Sequence, residues 1–165
     1  MVSTGFSVKL LEAIQNSFSQ QIKPAMQSSD FQIEMQVRDY ECDVQGIVNN
    51  AVYQNYLEHC RHKFLHSVGL DFVQLHNEGI DAVVIRAELD YKFPLRPGDD
   101  FIVNLKMAKQ GKLRVIFNQQ VLRKMDEKIM VSARITAVLT KNNRPISSDI
   151  FVEKMFDAGI KVEEV

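Results

Sequence analysis

Past its first thirty residues the chain holds one long helical stripe and five strand-like stretches, and this imbalance restricts the fold more than any other feature. Tyr53, Tyr56, Leu57, Cys60, Phe64 and Val68 recur at the spacing of a single helix face. Asn49 and Asn50 supply an N-cap pair and Gly69 a C-terminal stop. The helix so bounded has about five turns at ~3.6 residues each. Its apolar stripe has to be buried, and the only large partner is one face of a sheet. The expected fold class is α+β, an antiparallel sheet of about five strands wrapped around one long central helix.

The strands are read from alternation. Phe31, Ile33, Met35 and Val37 alternate with Gln32, Glu34 and Gln36, the period of a half-buried strand. A polar stretch follows from Arg38 to Asp43 and ends at Gly46. After the long helix, Asp71 opens a shorter one through Phe72, Val73 and Leu75 to a second stop at Gly79. Ala82 to Lys92 is rich in strand formers and closes before Pro94, and Arg96-Pro97-Gly98-Asp99 has the composition of a turn. Phe101, Val103, Leu105 and Met107 alternate up to a hairpin at Gln110-Gly111. Leu113, Val115, Phe117, Gln119 and Val121 do so next. After Met125-Asp126-Glu127 the pattern returns at Ile129, Val131, Ala133, Ile135, Ala137 and Leu139. The last three strands thus form a meander. Without internal repeats or alternating strand and helix units, a doubly wound parallel sheet is excluded. Five strands with one covered face leave open edges, which the pairing of two chains would bury.

Val8, Leu11, Ile14, Phe18 and Ile22 form an earlier helical stripe, followed by Pro24 and a linker from Met26 to Asp30. The expected organisation is an N-terminal extension over 1–29, one domain over 30–155 and a C-terminal tail over 156–165. A length of 165 residues, 45% of them hydrophobic, is enough for one core without staples. A formal charge of -1 gives no bulk attraction to nucleic acid or to an anionic membrane. Cys42 and Cys60 stand in neither a disulfide framework nor a zinc-ligand spacing, and a reducing cytoplasm is the expected location. No apolar run approaches the ~18 residues needed to cross a bilayer.

The segment Asp43-Val44-Gln45-Gly46-Ile47-Val48-Asn49-Asn50-Ala51-Val52-Tyr53 brings an acid, a glycine turn and a helix start together. Backbone N–H groups at a helix N-terminus are unpaired donors with partial positive charge, suited to a developing oxyanion. A carboxylate seven residues ahead of Asn50 folds back toward the same point. A carbonyl held between them would meet a base or nucleophile on one side and a donor on the other. The same spacing also serves a turn followed by a cap, and the residues alone leave both readings open.

That segment, with Tyr56 and Glu58, resembles the signature of the 4-hydroxybenzoyl-CoA thioesterase branch of the hotdog superfamily. The run from Val37 through Asp43 to His62 and Phe64 is similar to bacterial acyl-CoA and plant acyl-lipid thioesterases. The likeness continues through Tyr91-Lys92-Phe93-Pro94-Leu95-Arg96-Pro97-Gly98-Asp99 and the final strand, covering roughly residues 31 to 150. The resemblance implies a hotdog fold that hydrolyses acyl-CoA or acyl-carrier-protein thioesters, with no metal or redox cofactor. It places Asp43 as the catalytic carboxylate, acting as nucleophile or as base for water, and the Asn50 amide as oxyanion donor. Gly46, Val48, Tyr53 and Glu58 become substrate-binding candidates. It also implies a site at the interface of a homodimer, with dimers pairing into tetramers and the acyl chain running beside the helix. Many relatives carry a histidine at the position of Ile47 or of Asn50; this chain has neither, so Asp43 would act with backbone help alone. A non-catalytic acyl-binding protein with the same tunnel is the alternative, while the dehydratase branch brings a histidine partner not seen near this motif.

Other residues carry two readings each. A helical glutamate is the catalytic acid in another hotdog branch, while for Glu58 a cap or a pair with Arg61 is the structural counterpart. His59 and His62 flank Arg61, but with no third ligand in view they read as a solvated helix face. Arg86, Lys92, Arg96 and Lys112 are candidates for the phosphates of CoA or an acidic carrier, or simply a solvated face. Glu41 and Asp43 on either side of Cys42 raise its thiol pKa, which argues against a cysteine nucleophile.

Overall fold

The computed structural model describes residues 31–165; the helix expected over 8–22 and the linker to Asp30 lie outside the described residues. The elements are β1 (Phe31–Gln36), α1 (Asn50–Ser67), α2 (Phe72–Asn77), β2 (Ile80–Tyr91), β3 (Asp100–Gln110), β4 (Arg114–Arg123), β5 (Lys128–Lys141), β6 (Arg144–Ile146), α3 (Asp149–Asp157) and β7 (Glu163–Glu164). A 3-10 turn at Asp39–Glu41 lies between β1 and α1.

One sheet runs in the order β1-β3-β4-β5-β2, with β6 on β5 and β7 on β3. The meander β3-β4-β5 is as expected. β1 closes one side antiparallel to β3, Phe31 opposite Leu105. α1 and α2 carry the chain across the concave face, so β2 pairs with β5 on the far side, Ile80 opposite Lys141 and Tyr91 opposite Val131. The result is a sheet curled round one helix, the hotdog arrangement. Beyond the expected five strands the chain adds β6, α3 and the two-residue β7, which pairs parallel to β3.

Local chemistry sets the helix ends. Asn49 accepts the Ala51 N–H at 2.9 Å, and Asp71 accepts those of Val73 and Gln74, so α1 and α2 each start on a side-chain cap. Along α1 the buried residues Tyr53, Tyr56, Leu57, Cys60, Phe64 and Leu65 press on the sheet. Phe64 meets Phe31 at 5.4 Å between ring centroids, and Tyr56 meets Phe101 at 4.7 Å. Each such fully buried side chain contributes roughly 1.5–3 kcal/mol. Phe151 and Met155 of α3 join the same core.

β2 forms one edge of the sheet and β1 the other. Val83, Val84 and Ile85 are about half exposed, and a register shift between Val84 and Arg86 leaves Ile85 without a partner on β5. Among the described residues no strand pairs with the outer side of β2.

Candidate active site

The loop ahead of α1 is held at several points by main-chain groups. Glu41 is buried; its Oε2 accepts the Arg38 N–H at 2.8 Å and the Tyr56 hydroxyl at 2.6 Å. Its carbonyl accepts the Asn49 N–H at 3.0 Å. Cys42 bridges to Val48, and the Asp43 N–H donates to Ile47 O at 2.9 Å. Gly46 closes the tip at φ +68, a left-handed backbone that a side-chain-bearing residue adopts only with strain. Val48 N–H donates to Leu95 O, tying the loop to the segment after β2. Asp43 therefore sits at the base of a narrow loop whose two strands are pinned to each other.

Asp43, Ile47, Val48, Asn50 and Tyr53 line one wall of a pocket of about 290 Å³, and Tyr91, Lys92, Phe93 and Pro94 line the other. Oδ1 of Asp43 accepts the Gln45 N–H at 2.8 Å. Among the described residues its second carboxylate oxygen has no donor, and the Asn50 N–H at the start of α1 has no acceptor. The pocket thus combines a free carboxylate oxygen with an unpaired donor at the positive end of a helix. Its walls are fixed by phenols: Tyr91 OH donates to Asn50 O at 3.0 Å, and the Leu95 N–H donates to Tyr53 OH at 2.9 Å. The two rings meet edge to face at 5.7 Å. Burial, before any other cause, raises the Tyr53 pKa above its ordinary value.

Not every candidate gathers here. Asp43, Val48, Asn50 and Tyr53 do; Gly46 shapes the turn without lining the pocket; Glu58 lies outside it, further along α1. Glu58 Oε1 stands 3.7 Å from His62 Nε2 rather than pairing with Arg61. Arg61 instead turns inward, because the buried Gln119 needs a donor for its Oε1, which Nη1 supplies at 3.0 Å. His59 is exposed, and His62 packs on Phe72 at 4.8 Å. Among the described residues no three His, Cys, Asp or Glu side chains are placed to hold a metal ion. Of the four basic candidates only Lys92 reaches the pocket; Arg86 pairs with Glu88 at 2.8 Å. The Cys42 thiol is raised by burial first and then by Asp39, Glu41 and Asp43.

Tyr91, Phe93, Pro94 and the Glu41 anchor carried no site role in the sequence reading. The first three had a signal, the Tyr91-Lys92-Phe93-Pro94 run within the resemblance; Glu41 had none beyond its place in a polar stretch.

A curled antiparallel sheet wrapped on one long helix defines a hotdog domain. Residues 37–152 match the model of the thioesterase-like superfamily, and the chain belongs to that family. It is 38% identical over 118 residues to the acyl-acyl carrier protein thioesterase ATL3, chloroplastic, of Arabidopsis thaliana, a match covering 70% of this chain and 61% of the relative. With the chloroplastic ATL2 of the same plant it shares 33% over 126 residues, covering 76% and 67%. The chain thus spans about three fifths of the first relative's length and two thirds of the second's. The 1,4-dihydroxy-2-naphthoyl-CoA thioesterase of Synechocystis superposes with a TM-score of 0.74 at 17% identity, over 80% of this chain and 99% of that one, and so shares its fold. Among the described residues no helix is long and apolar enough to cross a membrane.

Proposed function

We propose that this protein hydrolyses acyl thioesters, of CoA or of acyl-carrier protein, to the free acid and thiol, with Asp43 as the catalytic carboxylate. One observation carries the reading: a carboxylate oxygen and a helix-terminal N–H, neither with a partner among the described residues, line the same pocket. Acting as base, Asp43 takes a proton from water as the water oxygen bonds to the thioester carbon. The carbonyl oxygen, now an anion, accepts the Asn50 N–H. Re-formation of the C=O bond then breaks the C–S bond and expels the thiolate. Acting as nucleophile, Asp43 would form a mixed anhydride that water cleaves in a second step. A positioned base contributes typically 10²–10⁴-fold, and one oxyanion donor about 10²–10³-fold. A thioester suits this equipment, since its carbonyl is strongly electrophilic and its thiolate leaves with little protonation.

Gly46 gives the loop its reversal, Val48 and Tyr53 wall the pocket, and Glu58 stands further along the helix beside which the acyl chain lies. Lys92, with Lys128 stacked over Phe93 at 3.6 Å, puts positive charge at the mouth, where CoA phosphates or an acidic carrier would meet it. The open β2 edge supports a homodimer, which pairs again into a tetramer. The two free thiols fit a reducing compartment such as the cytoplasm, and fatty acid metabolism is the proposed setting. Residues 1–29 are an extension to the catalytic domain, and the 156–165 tail turns back onto the sheet through β7.

The test is release of free CoA from palmitoyl-CoA, read with a thiol-reactive dye, by wild type and by Asp43→Asn. Release by wild type alone supports the reading. Binding of acyl thioesters with no release from any CoA or carrier-protein form would replace it with the acyl-binding alternative.

A further inference from the structure

Two more cavities succeed the Asp43 pocket along the same helix, and the hydrolytic step itself uses neither. In the first, Gln54, Leu57 and Arg61 of α1 face Val84, Ala87 and Ile135 across about 270 Å³. In the second, Arg61 and Leu65 face Ile80, Val84, Phe117 and Ala137 across about 390 Å³. Glu58, Arg61 and Val84 belong to both, so the two cavities form one groove between α1 and β2.

The deeper cavity is lined mostly by apolar groups, while polar and apolar groups line the first about equally. The carboxylates at the groove's rim are solvated and each lies beside a histidine: Glu58 beside His62 at 3.7 Å, and Asp81 beside His76 at 2.7 Å. Arg61 is different. Its Nη1 donates to Oε1 of Gln119, a side chain 1% exposed whose own Nε2 donates to Leu57 O at 2.9 Å. This relay fixes the guanidinium across the sheet. Among the described residues its Nε and Nη2 have no acceptor and it faces no carboxylate within ion-pair distance. Burial pulls its pKa below the ordinary arginine value, with the Glu58 charge opposing. Donors fixed in a partly buried position and left without protein acceptors are met by solvent or by a ligand that replaces it.

Position then selects the ligand. Asn50 and Arg61 are eleven residues apart, about 16 Å along the axis at ~1.5 Å per residue. An extended chain covers roughly 1.2 Å per bond, taking ~3.6 Å for three backbone bonds, so an acyl group of about twelve carbons spans that distance once its terminal C–O bond and a hydrogen bond of ~2.9 Å are included. We propose that the α1–β2 groove selects acyl chains bearing a neutral oxygen, a hydroxyl or an oxo group, near their far end, and that Arg61 is the residue that receives it. Glu58 and Asp81 line the same cavity and disfavour a terminal carboxylate. The inference rests on the hydrolase reading, which puts the thioester at Asp43.

The experiment compares kcat/KM for dodecanoyl-CoA and ω-hydroxydodecanoyl-CoA on the full chain. Wild type is expected to favour the hydroxylated substrate by about tenfold or more, the discrimination that one well-placed charged hydrogen bond supplies. Arg61→Met should bring the ratio to one or below. Arg61→Lys, which keeps the charge and the apolar stem but loses the fork, should fall between, and covers the case in which the methionine variant melts early. A wild type that prefers the plain chain, or a preference unchanged in both variants, overturns the proposal. If no thioester is cleaved at all, the Asp43 reading fails by itself. Dissociation constants of the same two CoA thioesters, measured by calorimetry on wild type and variants, then decide the groove, with equal values overturning it.

Discussion

The Tyr56 hydroxyl donates a 2.6 Å hydrogen bond to Glu41 Oε2, fastening the loop that carries Asp43 to the buried side of α1. The same oxygen accepts the Arg38 N–H, and the carbonyl of Glu41 accepts the Asn49 N–H at the helix cap. One residue, Glu41, therefore sets both ends of the segment, Arg38 through its carboxylate and Asn49 through its main-chain carbonyl. Burial, and then the bond to Glu41, hold the Tyr56 phenol well above its ordinary pKa. Tyr56→Phe deletes the donor and leaves Glu41 underpaired inside the protein, which should cost about 1–3 kcal/mol. The urea midpoint should fall and kcat/KM with it, since the Asp43 loop loses its anchor. Unchanged stability would mean that the arginine side of the clamp suffices.

Asp43→Asn separates chemistry from structure. The asparagine amide oxygen still accepts the Gln45 N–H that Oδ1 of Asp43 now accepts at 2.8 Å, so the turn should persist. Turnover should fall about 10²–10⁴-fold with the melting temperature within a degree or two of wild type. A variant of full activity would remove Asp43 from the reaction.

How much of this was legible in the sequence depended on how local each cause is. Phe101, Val103 and Leu105 point to one face because a strand has period two, so the core strands follow from a few adjacent residues. β7 could not be seen that way: Glu163 and Glu164 join Ala108 and Lys109 through main-chain pairing, which leaves no side-chain pattern. α3 begins after Ser148, whose hydroxyl is spent on Lys112 O instead of capping the helix, so the usual start signal is missing. At the site, Asp43, Gly46 and Asn50 stand within eight residues and could be read together. Tyr91 meets the carbonyl of Asn50 across 41 positions, and Arg61 meets Gln119 across 58; both pairs exist only once the sheet has curled.

Gly46→Ala tests the loop reversal without adding a clash. A Cβ there would meet nothing within 4 Å, so the cost is the backbone at φ +68 alone, about 1–2 kcal/mol. Thermal denaturation should register that loss. Activity should fall by more than stability explains if the loop relaxes and swings Asp43 off the pocket. Full activity at reduced stability would show that the reversal matters only for folding.

Cys60 supplies a pH dependence. Its thiol is fully buried under α1, and burial pushes it up to about 12 from 9.0. An unfolded chain releases this proton near pH 9, while the folded chain keeps it until about 12. The folded state therefore binds more protons across that window, and stability must fall as pH rises through it. Denaturation midpoints recorded from pH 8 upward should decline for wild type and decline less for Cys60→Ala, whose lower starting stability is read separately at neutral pH. Parallel slopes would mean that other groups, Tyr56 foremost, carry the alkaline sensitivity.

The exposed edge gives the last test. Val83, Val84 and Ile85 form an apolar run on a twelve-residue strand whose outer edge pairs with no strand among the described residues, and none of the three is a proline or lysine that would discourage pairing. A second copy related by a twofold axis would satisfy that edge antiparallel and cover the half-exposed side chains on both chains at once. Tyr91 ends the same strand and Phe93 follows just beyond it, both half exposed on the wall of the Asp43 pocket, so closing the edge would also close the pocket. Ile85 is the place to intervene, because it lies outside the β5 register and lines neither groove nor pocket. Ile85→Glu should shift the sedimentation coefficient from an oligomer to a monomer and lower kcat/KM together. A monomeric variant with full activity would show that each chain completes its own site, and a wild type that sediments as a monomer would leave the edge as a surface for something other than its own copy.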